Sequence, residues 1–193
     1  MNALGMVLAV TLRIVACDQI KLEDETWNSA KAQVIRILNR AGIEVDWMES
    51  ARGSKACKRP SDGDDFLVVV GDMPPKGWTS PDAMGFAPPD TRRAYVFFSL
   101  VKRFSSNFIH TGDARANLGI VLGHAIAHEL GHALIPVNAH GGSGIMHAKW
   151  SFREWSLMMA GSLLFDFDRA KTMRHEIESR HVPLPVPISE RID

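Results

Sequence analysis

Three of the eight histidines in the chain crowd into nine residues, His124, His128 and His132, and Glu129 directly follows the second of them. The segment Ala127-His128-Glu129-Leu130-Gly131-His132 reads H-E-x-x-H. Residues four apart on a helix lie on one face, a turn above each other. The two imidazoles of His128 and His132 can therefore converge on one zinc at Zn–N distances of about 2.0–2.1 Å, with Glu129 in reach of a water at that metal. Such a group does hydrolysis: the glutamate takes a proton from the water and passes it to the leaving group. Two histidines and an acid on an otherwise apolar helix are costly to bury unless something pairs them, and a metal does so. The competing reading is a helix whose histidines hydrogen-bond in the core.

A catalytic zinc takes a third protein ligand and keeps an open position for water. His140 is the preferred candidate, eight residues after His132 and just past a helix break at Pro136. His124 shares the face of His128, but it lies about 12 Å from His132 along the axis at 1.5 Å per residue, too far to share one ion. It reads as a core histidine or one that supports a ligand. His147 and Glu154 stay open as alternatives, although Glu154 also completes the capping-box spacing of Ser151-Phe152-Arg153-Glu154.

The elements that must position these residues follow from periodicity. Leu8 to Cys17 reads as a strand rich in Val and Ile. Leu22 to Ala41 reads as an amphipathic helix, with Trp27, Ala30, Val34, Leu38 and Ala41 at three- and four-residue steps and Gly42 as its C-terminal cap. Ile43 to Trp47 alternates like a short strand, and the continuous apolar run Phe66 to Val70 fits a central strand buried on both faces. Asp72 to Pro89 is rich in Pro and Gly and reads as a long excursion, inside which Met84-Gly85-Phe86-Ala87 fits a short edge strand. Tyr95 to Leu100 is the next strand. The chemistry-bearing helix spans about Ala114 to Leu134, with Asp113 as N-cap. Ser151 opens a further helix to about Phe165, and a last one covers Asp168 to Arg180, before a Pro-rich tail from Val182 to Asp193.

Composition narrows the partners. The 22 Lys and Arg balance 22 Asp and Glu, so the net charge is zero and no basic stripe offers a nucleic-acid face. No apolar run reaches the length of a membrane span. The two cysteines, Cys17 and Cys57, are too few for a disulfide framework; they pair once in an exported protein or stay free in a reducing compartment. Ile14-Val15-Ala16-Cys17 has the look of a lipoprotein cleavage site. Arg13 and the missing basic start argue for a strand instead.

The run His128-Glu129-Leu130-Gly131-His132-Ala133-Leu134, then His140, then Gly144-Ile145-Met146, resembles the metzincin clan of zinc metallopeptidases. The resemblance implies His128, His132 and His140 as zinc ligands, Glu129 as general base, and Met146 as the methionine of the turn beneath the metal. It implies an α+β fold: a small twisted, mostly parallel sheet with an antiparallel edge strand, packed on the active-site helix and C-terminal helices. Residues 1–193 then form one domain, with a sheet-containing part (1–123) and a part carrying the zinc site, the Met-turn and the last helices (124–193). In matrixin-like members the edge strand holds an extended peptide, which points to Met84, Gly85, Phe86 and Ala87 as one cleft wall and Trp150 as another. The chain departs from the clan pattern. The clan's glycine position falls on Ile135 and its third-histidine position on Asn138, so His140 comes two residues late. Asn138 tolerates the left-handed backbone of the required turn. The tyrosine that often follows the Met-turn is missing, and His147 follows Met146 directly. Resemblance to mostly exported proteases points to secretion or the periplasm, whereas the chain shows no signal segment. Other readings remain at this level: a zinc module with no catalysis, closed by a fourth ligand such as His147; a divergent inactive homologue; a hydrolase of a non-peptide amide; a domain without metal.

Overall fold

Alternate residues of the two innermost strands face two separate apolar layers, and this arrangement sets the rest of the fold. The computed structural model describes residues 10–50, 52–53, 57, 65–80, 83–89, 91–108, 114–135 and 139–180. In chain order the elements are β1 (Val10–Asp18), α1 (Asp24–Arg40), β2 (Ile43–Glu49), β3 (Phe66–Gly71), β4 (Gly85–Phe86), β5 (Arg93–Phe97), α2 (Phe98–Ser106), α3 (Ala114–Leu134), α4 (Phe152–Met159) and α5 (Phe167–Arg180). The fold is α+β. The sheet order is β2-β1-β3-β5-β4. β1 runs parallel to β2 and β3, and β3 parallel to β5. β4 is the antiparallel edge, with Phe86 opposite Tyr95.

Period two explains both layers. Leu12, Ile14 and Ala16 of β1 and Phe66, Val68 and Val70 of β3 enter the main core with Trp27, Val34, Ile37 and Leu38 of α1 and Leu122, Ile126 and Leu130 of α3. Val15, Cys17, Leu67 and Val69 form a second cluster, packed by Cys57 and Tyr95. A disulfide joins Cys17 to Cys57 on this second face, which decides the open question about the cysteines in favour of pairing. Ile14 to Cys17 lie inside β1, as the strand reading expects.

α3 runs against α1 at very short range. A Cβ on Gly119 would stand 2.5 Å from Ser29 Cβ, and one on Gly123 would stand 2.6 Å from the Ala30 carbonyl oxygen. Only hydrogen at these two positions lets the helix backbones meet.

Two expectations need correction. The strand expected over Tyr95 to Leu100 ends at Phe97, and Phe98 opens α2. Phe98, Val101 and Ser105 are its buried stripe, at helical steps; the apolar run before them hides the switch of period. The helix opened by Ser151 stops at Met159 rather than near Phe165, because Gly161 takes φ +68° and the amides of Ser162 and Leu163 fold back onto the Leu157 carbonyl. The expectations for Leu8, Asp113, Pro136, Asn138 and the Pro-rich tail lie outside the described residues. Among the described residues no helix is long and apolar enough to cross a membrane.

Candidate metal centre

Residues Val121 to Ala127 of α3 are all buried, so a polar side chain in this stretch lies where water cannot satisfy it. His128 and His132 sit one turn apart, and their Nε2 atoms are 3.1 Å from each other. The Nε2 of His140 lies 3.1 Å from that of His132. One donor atom from each of the three rings falls within 4.8 Å of the other two. A tetrahedral ion with bonds of about 2.0–2.1 Å spaces its ligand atoms roughly 3.3–3.4 Å apart, so the three nitrogens suit such an ion.

The protonation pattern suits it as well. Nδ1 of His128 donates to the Ile145 carbonyl at 2.7 Å; a carbonyl only accepts, so the proton is on Nδ1 and Nε2 carries the lone pair. Burial, reinforced by the neighbouring imidazoles, pushes His128 down to about 3. Burial and then the His140 ring push His132 down to about 4. Both rings are thus neutral, as a metal ligand must be. Three imidazole nitrogens on one side and an open cleft on the other fit a zinc site that keeps a free position.

His140 stands outside any helix, and a distant cation sets its place. Arg169 of α5 donates from Nε to the Ala139 carbonyl at 2.8 Å and from Nη2 to the His140 carbonyl at 2.7 Å. Asp166 pairs with the same guanidinium. The turn that follows is closed by the Gly141 amide on the Met146 carbonyl at 2.9 Å and the Ile145 amide on the Leu164 carbonyl at 2.9 Å. Met146, fully buried, rests on α3 at Gly131, where a Cβ would stand 2.5 Å from its sulfur. Gly131 therefore lets Met146 lie against the helix backbone one residue before His132.

Glu129 is 6% exposed. Burial pushes its carboxyl up to about 8. It lies against the edge strand: a Cβ on Gly85 would come within 2.8 Å of Glu129 Cγ. Met84, Gly85, Phe86 and Ala87 line one side of a cleft of about 520 Å³, and the three imidazoles and Glu129 lie on its floor. Trp150 lines it as well. Its Nε1 donates to the Ile145 carbonyl at 3.2 Å, and its ring meets His128 edge-on at 5.4 Å.

The remaining candidates lie elsewhere. His124 is fully buried, with Nδ1 donating to the Ile120 carbonyl at 2.7 Å. Glu154 accepts from the Ser151 amide and hydroxyl and from His147 Nδ1 at 3.1 Å. Burial works to raise its pKa, but these hydrogen bonds outweigh that and hold it below the usual carboxylate range. Neither Glu154 nor His147 belongs to the group formed by the three imidazoles.

Sequence reasoning missed three contributors. Arg169 left no signal, because its partners are backbone carbonyls. α2 brings Leu100, Arg103 and Phe104 to the cleft, and Phe108 follows just beyond its end. Trp78 also lines it, packed 5.4 Å from Phe86 and 5.3 Å from Phe97; its place in the Pro- and Gly-rich excursion was the available hint.

No family model matches the sequence. No curated protein matches it either. Among solved structures, that of an archaemetzincin from Methanopyrus kandleri is similar over 91% of this chain and 99% of the other, with a TM-score of 0.56 and 14% identity. That of a zinc-dependent peptidase from Methanocorpusculum labreanum is similar over 86% of this chain and 99% of the other, with a TM-score of 0.49 and 14% identity. The first likeness shows a shared fold.

Proposed function

We propose that this protein is a zinc-dependent metallopeptidase of metzincin-like design, one domain that cleaves within peptide chains. One observation carries the reading: the Nε2 atom of His132 lies 3.1 Å from those of His128 and His140, and a buried glutamate lines the same cleft. The archaemetzincin-like fold supports it. The three imidazoles are the zinc ligands, and Met146 is the methionine of the turn beneath them. Zinc, when bound, supplies a Lewis acid that polarises the scissile carbonyl and lowers the pKa of water.

The chain's own residues do the rest. Glu129 takes a proton from the attacking water and delivers it to the leaving nitrogen. Its burial beside Gly85 keeps bulk water from competing for that proton. An extended peptide lies along Met84 to Ala87 and adds a strand to the antiparallel edge, with one side chain against Trp150, Phe104 and Phe108.

The test is metal content by elemental analysis, followed by cleavage of a mixed peptide library. About one zinc per parent chain, loss of it in His140→Ala, and cleavage by the parent are the expected results. A folded parent that refuses added zinc overturns the reading. Zinc bound without any cleavage leaves a zinc module in its place.

A further inference from the structure

The cleft carries a polar side chain that the group of three imidazoles does not include. His147 lines the cleft together with Glu129 and the three imidazoles. Its backbone is tied to the turn that carries His140: its amide donates to the Gly144 carbonyl at 3.1 Å, and it bridges to Gly141. Its Nδ1 is 3.1 Å from Glu154 Oε1. Glu154 is 2% exposed, and its other oxygen accepts from the Ser151 amide at 2.8 Å and the Ser151 hydroxyl at 2.7 Å. The helix cap is complete with that second oxygen alone, so the contact to His147 is additional to it. A carboxylate only accepts, so Nδ1 carries the proton, and in the neutral ring Nε2 holds a lone pair.

We infer that His147, oriented by Glu154, is a catalytic residue of this cleft, whose Nε2 accepts a hydrogen bond from the nitrogen of the scissile peptide group. This rests on the peptidase reading above. As Glu129 hands its proton to that nitrogen, the nitrogen gains positive charge and the C–N bond breaks. Its N–H becomes a stronger donor, so the hydrogen bond to Nε2 is worth more in the transition state than in the bound substrate. No bond to His147 forms or breaks. Glu154 is a positioning residue, since it acts only through the ring.

The test compares a peptide with its matched depsipeptide, in which an ester oxygen replaces the scissile N–H. His147→Leu is expected to lose roughly ten- to a hundredfold in kcat on the peptide, the range of a hydrogen bond to a charged group. KM and zinc content stay close to the parent's, and the ester is cleaved at nearly the parent's rate. His147→Gln, which keeps an acceptor, recovers part of the loss, and Glu154→Gln shows a smaller loss with the same preference for the ester. In metal-free protein, ¹⁵N shifts of His147 are expected to report the Nδ1–H form and to change in Glu154→Gln. Equal losses on peptide and ester, or no loss on either, overturn the role of His147 while leaving the peptidase reading intact. Loss of zinc from His147→Leu overturns it in favour of a ligand role. A parent that binds no zinc and cleaves neither substrate overturns both readings.

Discussion

Glu129 carries opposing demands in one side chain. Its pKa is pushed up to about 8 by burial alone, so the folded, metal-free protein prefers it protonated. The folded-state value exceeds the unfolded one, so this group favours folding below the ordinary carboxylate range, and that contribution is lost as pH rises through 8. Glu129→Gln is therefore expected to abolish cleavage while making the metal-free protein more stable at pH 7–8, on the order of 3–4 kcal/mol. Urea unfolding of both proteins across pH 5–9 checks this; a variant no more stable than the parent at pH 8 would contradict the buried-acid account. A stability gain on removing the proposed general base is the expected signature of a functional site. At this scale the sequence was highly legible. His128, Glu129 and His132 are close in sequence, and helical spacing alone brings them together. His140 was legible as a candidate only. Its place depends on Arg169, 29 residues further on, which binds carbonyls that every residue possesses.

Among the elements, α3 does most to set the site's geometry, and it does so from a distance. Gly119 and Gly123 seat one stretch of the helix on α1, while His128 and His132 project from the next turns. Gly123→Leu has to push α3 off the Ala30 backbone, a shift that typically costs about 1–3 kcal/mol. We expect that loss in denaturant unfolding, together with weaker zinc binding, whereas Gly142→Ala, with nothing within 4 Å of its Cβ, changes neither. Intact zinc affinity in a destabilised Gly123→Leu would show that the ligand end of α3 is positioned independently of α1. The strands and α1 could be read from their periods, because each buries one face or both. α2 could not, since Tyr95 to Val101 is apolar enough to satisfy strand and helix alike; only the buried stripe of Phe98, Val101 and Ser105 separates the two.

Across the whole molecule, the sheet has two apolar sides and the helices described in the main core cover one. The disulfide between Cys17 and Cys57 fastens the other, closing a loop with a sequence separation of 40. A loop of that length gives up to about 4 kcal/mol through restriction of the unfolded chain. Guanidinium unfolding with and without reductant is expected to differ by up to that amount, and Cys57→Ser to match the reduced parent; coincident curves would show that the bond adds nothing. Two cysteines admit only one internal pairing, but whether they pair depends on compartment, which no residue pattern in the chain states.

The Arg169 strap also has a consequence in time. His128 and His132 take up their relative positions as soon as α3 winds, but the carbonyls of Ala139 and His140 have no guanidinium to hold them until α5 exists. At synthesis rates of roughly 5–20 residues per second, the 35 residues from Leu134 to Arg169 separate the two events by a few seconds. A growing chain thus passes through a stage with two nitrogens in place and the third untethered. The last helix of the fold therefore determines when the third imidazole is fixed beside the other two.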